Sequence, residues 1–419
     1  VKIDESGNWR AFRHRNYRIL FAANAVSNIG TWAQRIAQDW LVLELTHKGS
    51  YLGVVTALQF APFIFFSLHG GALADRFNKR KVLIWTNIAG GLTAGVLGIL
   101  VLTDIVNILH VCILALLLGI SSAVDGPVRQ AFTSEVVGED DVSNAVSLNS
   151  ANFNAGRLIG PAISGLLIAA FDTGPSFMLN AASYVFVIGA LFVLKESSFF
   201  YRTTTQTMTS VREGLRYAKA RPDIYVVMLI VFFMSTFGLN FQIFNALMAT
   251  QAFNRGPASY GWLGTFMAIG SLSGALLSTC LESFRSVRFI IGASVVFSIS
   301  VITISFMPTY TTYAIFLPLC GLSALTTLVN ANSYVQVHSD PAIRGRVLGI
   351  YLLIFMGGAP FGSLLIGVFS DVFGIRATVA GCGVISLIGV LIIGTIFKEK
   401  VATPLDTTIS GVLKTTKNY

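Results

Sequence analysis

Gly71-Ala-Leu-Ala-Asp-Arg-Phe-Asn-Lys-Arg-Lys81 packs charge densely between two long apolar runs, and its reading decides the fold. A helix leaving a bilayer at Leu73 and another re-entering at Val82 leave only a few residues in which to reverse direction, and Arg76, Lys79, Arg80 and Lys81 are among them. Basic residues in short loops mark the cytoplasmic side, so the stretch is expected to be a tight cytoplasmic turn. The rest of the chain agrees with a bilayer setting: of 419 residues, 54% are hydrophobic and 12% charged, and the mean hydropathy is +0.70. That is too apolar for a soluble multidomain protein.

Crossing about 30 Å of hydrocarbon takes about 20 residues, and about twelve apolar windows are long enough. They run Tyr17 to Leu45, Tyr51 to Leu73, Val82 to Leu102, Ile105 to Pro127, Val142 to Ala170 and Pro175 to Leu194. A second set runs Ile224 to Thr250, Tyr260 to Leu281, Phe289 to Met307, Thr311 to Tyr334, Val347 to Phe369 and Ala377 to Phe397. The division expected is an all-α membrane protein with one helical bundle over 1–194, a linker over 195–222, a second bundle over 223–397 and a tail over 398–419. In the linker Val211, Leu215 and Ala218 recur at helical spacing against Arg212, Arg216 and Lys219, as in an interfacial amphipathic helix. The Thr- and Lys-rich tail is expected to be disordered.

The basic residues fall on one side of this arrangement. Lys2, Arg10, Arg13, Arg15, Arg18, the 76–81 cluster, Arg129, Arg285, Arg288, Arg344, Arg346 and the tail lysines share it, against Lys48, Arg255 and Arg376 opposite. Both termini are therefore expected in the cytoplasm. The net charge of +9 reflects membrane orientation and not a nucleic-acid face. Cys112, Cys280, Cys320 and Cys382 lie singly in apolar runs, which reads as core packing without a disulfide or metal. The basic N-terminus precedes an apolar run without a small-residue cleavage site, so a retained first helix is expected.

Gly71, Leu73, Ala74, Asp75 and Arg76 resemble the signature loop between the second and third helices of major facilitator superfamily transporters. Asn78 stands where that family usually has Gly, a change tolerable in a left-handed turn. Lys79 stands where it usually has Arg, which keeps the charge without the planar fork. The resemblance implies two pseudo-symmetric six-helix bundles that alternate access to a midplane site. The halves also look alike in sequence: Gly156 to Gly174, with Gly160-Pro161 and Gly165-Leu-Leu-Ile, parallels Gly357 to Gly374, with Ala359-Pro360 and Ser363-Leu-Leu-Ile. Gly156, Gly160, Pro161, Ser164 and Gly165 resemble the antiporter motif of exporter branches. The glycines also offer a small-residue packing face, and Pro161 a bend.

By the same resemblance Gly71, Asp75, Arg76, Lys79, Arg80, Asp125 and Arg129 form a conformational latch. Asp125 meets Lys79, and Asp75 caps the eleventh span near Gly345. The Asp125 to Asn149 region resembles the bacterial branch that exports enterobactin-type siderophores, macrolides and other drugs. The fourth span lacks the Arg before a Gln-Gly pair found in many proton-coupled members, with Ala115 and Leu118 preceding Gly119.

Charges inside spans are costly and normally face a cavity or a partner. Arg157 is the strongest such candidate. Arg35 and Asp39, four apart and so on one helical face, either neutralise each other or face the same cavity; Asp39 alternatively pairs with Arg157 or carries a proton. Gln34, Gln38, Gln59, Asn152, Asn240, Asn245 and Asn330 are the polar cavity candidates, suited to an amphipathic or aromatic substrate, and interhelical bonding explains each of them as well. No HExxH, GxSxG, P-loop or Rossmann fingerprint is present, so neither an enzyme, a cofactor nor an ATP-driven pump is expected.

The function expected is export of drug- or siderophore-like small molecules across the bacterial cytoplasmic membrane, driven by proton antiport, with the chain acting as a monomer. An importer on the same fold, or a transporter-derived membrane scaffold or lipid-handling protein, is the alternative. A scaffold has no reason to keep Arg35, Asp39 and Arg157 in a bilayer.

Overall fold

The computed structural model describes residues 9–200, 211–280, 286–340 and 343–397, without the side chains of 67–76, 197 and 211–213. The first half holds α1 (Arg15–Thr46), α2 (Gly49–Arg76), α3 (Lys79–Leu102), α4 (Ile108–Val137), α5 (Val142–Phe171) and α6 (Gly174–Val193). A short linker helix, α7 (Val211–Ala220), leads to α8 (Pro222–Phe233) and α9 (Phe241–Leu247), which belong to one span, Pro222–Ala252. Then come α10 (Pro257–Cys280), α11 (Val287–Ser305), α12 (Tyr310–His338), α13 (Arg344–Phe373) and α14 (Ile375–Ile396).

Among the described residues 11 spans are long and apolar enough to cross a membrane. α1 supplies one more rod of 32 residues, packed along α5 and α6. Its mean hydropathy is lowered by Asn24, Asn28, Gln34, Arg35, Gln38 and Asp39. Around the bundle Leu92, Ile99, Phe186, Phe192, Ile315 and Val372 are exposed, an apolar belt suited to lipid.

The helix starts follow from side-chain caps that satisfy otherwise orphaned N–H groups. Asn78 Oδ1 accepts from the Lys81 N–H at 3.1 Å, Asn107 from His110 at 3.0 Å and Ser286 from Phe289 at 3.2 Å. Asn78 is thus extended, with φ −61° and ψ 110°, and not left-handed as the turn reading allowed; its amide is used as a cap. α4 continues through Pro127 to Val137. Asp125 and Arg129 therefore lie inside that helix and not at its end.

The two halves pack by one pattern used twice. α2 lies on α4 and α3 on α6, as α10 lies on α12 and α11 on α14. Between the halves, α2 meets α13 and α10 meets α5. Both contacts need a residue without a side chain. A Cβ on Gly53 would sit 2.3 Å from the Ser363 carbonyl oxygen, and one on Gly261 would sit 2.4 Å from that of Pro161. Gly367 flanks the first contact and Gly165 the second, so the packing equates Gly165 with Gly367, about one turn from the register that the sequence parallel suggests.

The linker helix docks on the second half through part of the expected face: Ala218 is buried, Leu215 is not, and the side chain of Val211 lies outside those described. Gly214 and Ala218 are buried, with Gly214 against Ile350 and Arg346 of α13. Leu215 is 41% exposed, because the glycine, and not the leucine, permits close approach. The cysteines are all free; Cys320 and Cys382 are buried, whereas Cys280 is exposed at the end of α10 and does not pack in a core. The 398–419 tail and residues 201–210 of the linker lie outside the described residues.

Candidate substrate cavity and the contacts around it

The seventh span is broken where it meets the interface between halves. Two wide turns, Met234–Gly238 and Met248–Ala252, interrupt it, and Asn240 leaves helical geometry between them. Gly358 and Gly362 of α13 press against Ser235 and Thr236, and Gly238 lies against the Phe297 ring. The break brings Leu239, Asn240, Phe241, Gln242, Ile243 and Asn245 to a cavity of about 300 Å³. Irregular backbone at membrane depth is tolerated where it lines such a space. Gly238-Leu-Asn240 was the sequence signal for it.

The rest of the wall comes from both halves. α1 gives Trp32 and Arg35, α2 gives Thr56 and Phe60, α5 gives Arg157, α10 gives Tyr260 and Met267, and α13 gives Phe355. On each of α2, α5, α10 and α13 the wall residues lie next to the close-packed stretch. The cavity therefore sits immediately beneath a seal made by residues 49–53 with 363–371 and by residues 161–165 with 257–261. Asp371 reinforces that seal: its Oδ1 accepts from the Gly49 N–H at 2.7 Å and its Oδ2 from the Ser50 N–H at 2.9 Å, capping α2 from the opposite half.

Arg35 and Asp39 do not pair. The Arg35 guanidinium lies over Trp32, 4.7 Å from the ring centroid, and 5.5 Å from that of Phe60, and its Nε is buried without a hydrogen bond. Asp39, 1% exposed, accepts instead from the Tyr260 hydroxyl at 2.6 Å, while its Oδ1 has no partner. Arg157 has no ion pair or hydrogen bond among the described residues. The pairing of Asp39 with Arg157 is likewise not made: the described partner of the carboxylate is Tyr260.

Of the amide candidates, Asn240 and Asn245 reach the cavity wall. The others bind helices to one another. Gln34 accepts from Asn180 at 2.6 Å, Gln38 donates to Gln59 at 3.3 Å, and Asn330 donates to the Ser278 hydroxyl of α10 at 3.3 Å. Asn152 lines a second, more polar cavity of about 340 Å³ inside the first half, with Asn24, Asn28, Asp125, Arg129 and Tyr184. Trp40 bonds Glu44 and Trp262 is exposed, so Trp32 is the tryptophan of the central wall. Tyr260, Phe60 and Phe355 were missed, since an aromatic residue in an apolar run carries no mark of the face it takes.

Of the basic cluster, Lys79 and Arg80 make contacts within the first half. Lys79 meets Glu135 at 2.7 Å and not Asp125, because Glu135 lies near the end of α4 that adjoins the start of α3. Asp125, deeper in the helix, is engaged by Arg129 at 2.7 and 2.9 Å and by Thr86 at 2.7 Å. Arg80 donates to the Leu191 and Phe192 carbonyls and to Glu196, where a cation suits the end of α6. The side chains of Asp75 and Arg76, and the surroundings of Gly71, lie outside what is described. In the antiporter-type stretch, Gly156 and Gly160 admit Asn28 and Trp32 of α1, whereas Pro161 and Gly165 face α10. One motif thus serves packing within a half and the seal between halves.

Residues 6–410 match the family of transmembrane secretion effectors, MFS_3. The chain belongs to this major facilitator family. The staphyloferrin A transporter of Staphylococcus aureus is 26% identical over 400 residues, covering 94% of this chain and 99% of that one. The multidrug efflux pump Tap of Mycolicibacterium fortuitum is 26% identical over 376 residues, covering 86% and 90%. The solved structure of a bacterial homolog to the human lysosomal transporter Spinster, inward-facing and unoccupied, superposes with a TM-score of 0.74 at 14% identity and covers 93% of this chain and 98% of that chain. The family and the spans make this a multi-pass membrane transporter with a small-molecule substrate.

Proposed function

We propose that this family member exports small amphipathic molecules from the bacterial cytoplasm in exchange for protons, as a monomer whose two halves rock about the central cavity. The observation that carries the reading is the cavity itself: it lies between the halves, and both halves line it. Its walls combine aromatic faces with a few polar groups, as ligand sites do. The name of the relative Tap, a multidrug efflux pump, favours export over import.

With both termini in the cytoplasm, the orientation that the basic residues favour, the seal faces outward and the cavity belongs to an inward-facing state. In this reading the outward-facing state forms when the seal parts and the opposite ends of the halves close. Asp39 is the residue assigned to proton exchange, since its carboxylate bonds across the halves and keeps one oxygen unengaged. Taking a proton there would alter a contact that the rocking motion must also break.

Inverted membrane vesicles with a panel of dyes and siderophores test the reading. Uptake that a protonophore abolishes, and that Arg157→Ala reduces at least tenfold for one compound or more, supports it. An Arg157→Ala variant that transports every compound like the parent contradicts the role given to that residue.

A further inference from the structure

We infer that the cargo is an organic anion: an amphipathic molecule bearing at least one carboxylate, held between Arg35 and Arg157. This rests on the transport reading above and narrows its substrate class. Among the described residues two guanidinium groups line the cavity, and no Asp or Glu does. Arg35 is held against Trp32 and Phe60 with Nε unbonded, and Arg157 makes no ion pair among the described residues. Asp39 follows Arg35 by one turn but is not part of the wall, and its engaged oxygen is taken by Tyr260. Even with Asp39 counted, two arginines and one aspartate leave a charge of +1.

Charges removed from water are retained when a partner or a ligand compensates them. A carboxylate supplies that compensation, because the planar guanidinium presents paired donors matching its two oxygens. The amides extend the same polarity. Asn245 Oδ1 accepts from the Tyr313 hydroxyl at 2.8 Å, which leaves the Asn245 amide N–H groups as donors for a ligand. Phe60, Phe241 and Phe355 supply apolar wall for the body of the molecule. A cationic drug would meet both arginines with no counter-charge in the wall.

The test uses purified full-length protein in nanodiscs with matched pairs of aromatic and aliphatic carboxylic acids and their methyl esters, together with the cationic dye rhodamine 6G. Binding is read by thermal shift and then by fluorescence or calorimetric titration. At least one acid is expected to bind tenfold or more tightly than its ester and than rhodamine 6G. Arg35→Gln and Arg157→Gln should each weaken that acid tenfold or more, Arg157→Lys less, with unfolding temperatures near that of the parent. No acid preferred over its ester, or both Gln variants binding the acid like the parent, overturns the inference. Vesicle transport separates the two readings. Acids that bind through both arginines but are never transported contradict export and leave the anion site standing, whereas protonophore-sensitive export of cations and esters alone contradicts the anion site and leaves export standing.

Discussion

Tyr260 of α10 donates a 2.6 Å hydrogen bond to Asp39 of α1, so a buried carboxylate of the first half is held by a hydroxyl of the second. Removing the hydroxyl strands a buried acceptor, which costs about 1–3 kcal/mol. Tyr260→Phe is therefore expected to lower the unfolding temperature. Asp39→Asn keeps a group able to accept from Tyr260 but cannot exchange a proton. It should retain substrate binding and lose the dependence of transport on the proton gradient, which vesicle uptake with and without a protonophore measures. Full gradient dependence in Asp39→Asn would move proton exchange elsewhere.

Asp371 caps the start of α2 from the other half, where a carboxylate near a helix N-terminus stabilises by about 0.3–1 kcal/mol. Asp371→Ala should weaken the seal and favour the conformer open at that end. A single cysteine at Thr56, in the cavity wall, is then expected to react faster with a membrane-impermeant maleimide added to whole cells. An unchanged or slower reaction would deny the cap a role in the seal.

Gly261 and Gly189 make a matched pair for testing close approach. A Cβ at Gly261 would meet the Pro161 carbonyl oxygen at 2.4 Å and the Gly165 Cα at 3.0 Å, whereas nothing lies within 4 Å of one at Gly189. Gly261→Ala should cut transport several-fold at normal expression, and Gly189→Ala should leave it unchanged. Equal activity in the two variants would show that the seal does not need this packing.

The pairs on α4 should differ in weight. Asp125 and Arg129 form a bidentate pair with side chains 19% and 26% exposed, and Thr86 and Asn87 bond the same carboxylate. Removing one partner of such a pair leaves an uncompensated charge, at a cost of about 3 kcal/mol. Asp125→Asn is therefore expected to lower thermal stability more than Glu135→Gln, which releases Lys79 near the helix end. Melting curves in detergent would show the order.

The fold was legible in the sequence because 11 of the spans are long and apolar in their own right, and because the Gly71–Lys81 stretch carries a familiar pattern. The site was most legible where a residue is expensive to bury, since Arg35, Arg157 and Asp39 announce themselves by charge, whereas of the amides named only Asn240 and Asn245 reach the wall. Gln34, Gln38, Gln59 and Asn330 could not be sorted from cavity residues, since an amide serves interhelical bonding and ligand binding equally well. The place of Tyr260 depends on which helix lies opposite, information that a single span does not hold. Lys79 found Glu135 because proximity along α4, not a family pairing, sets its partner.

Distances between spin labels at the two ends of the bundle test the rocking of the halves most directly. With Cys112, Cys280, Cys320 and Cys382 replaced, one label pair goes at Lys48 and Val372 beside the seal, and another at Phe77 and Val337 toward the opposite end. Adding a transported compound is expected to yield a population in which the first distance lengthens while the second shortens. Two distributions that stay single and unchanged through turnover would contradict the alternating cavity.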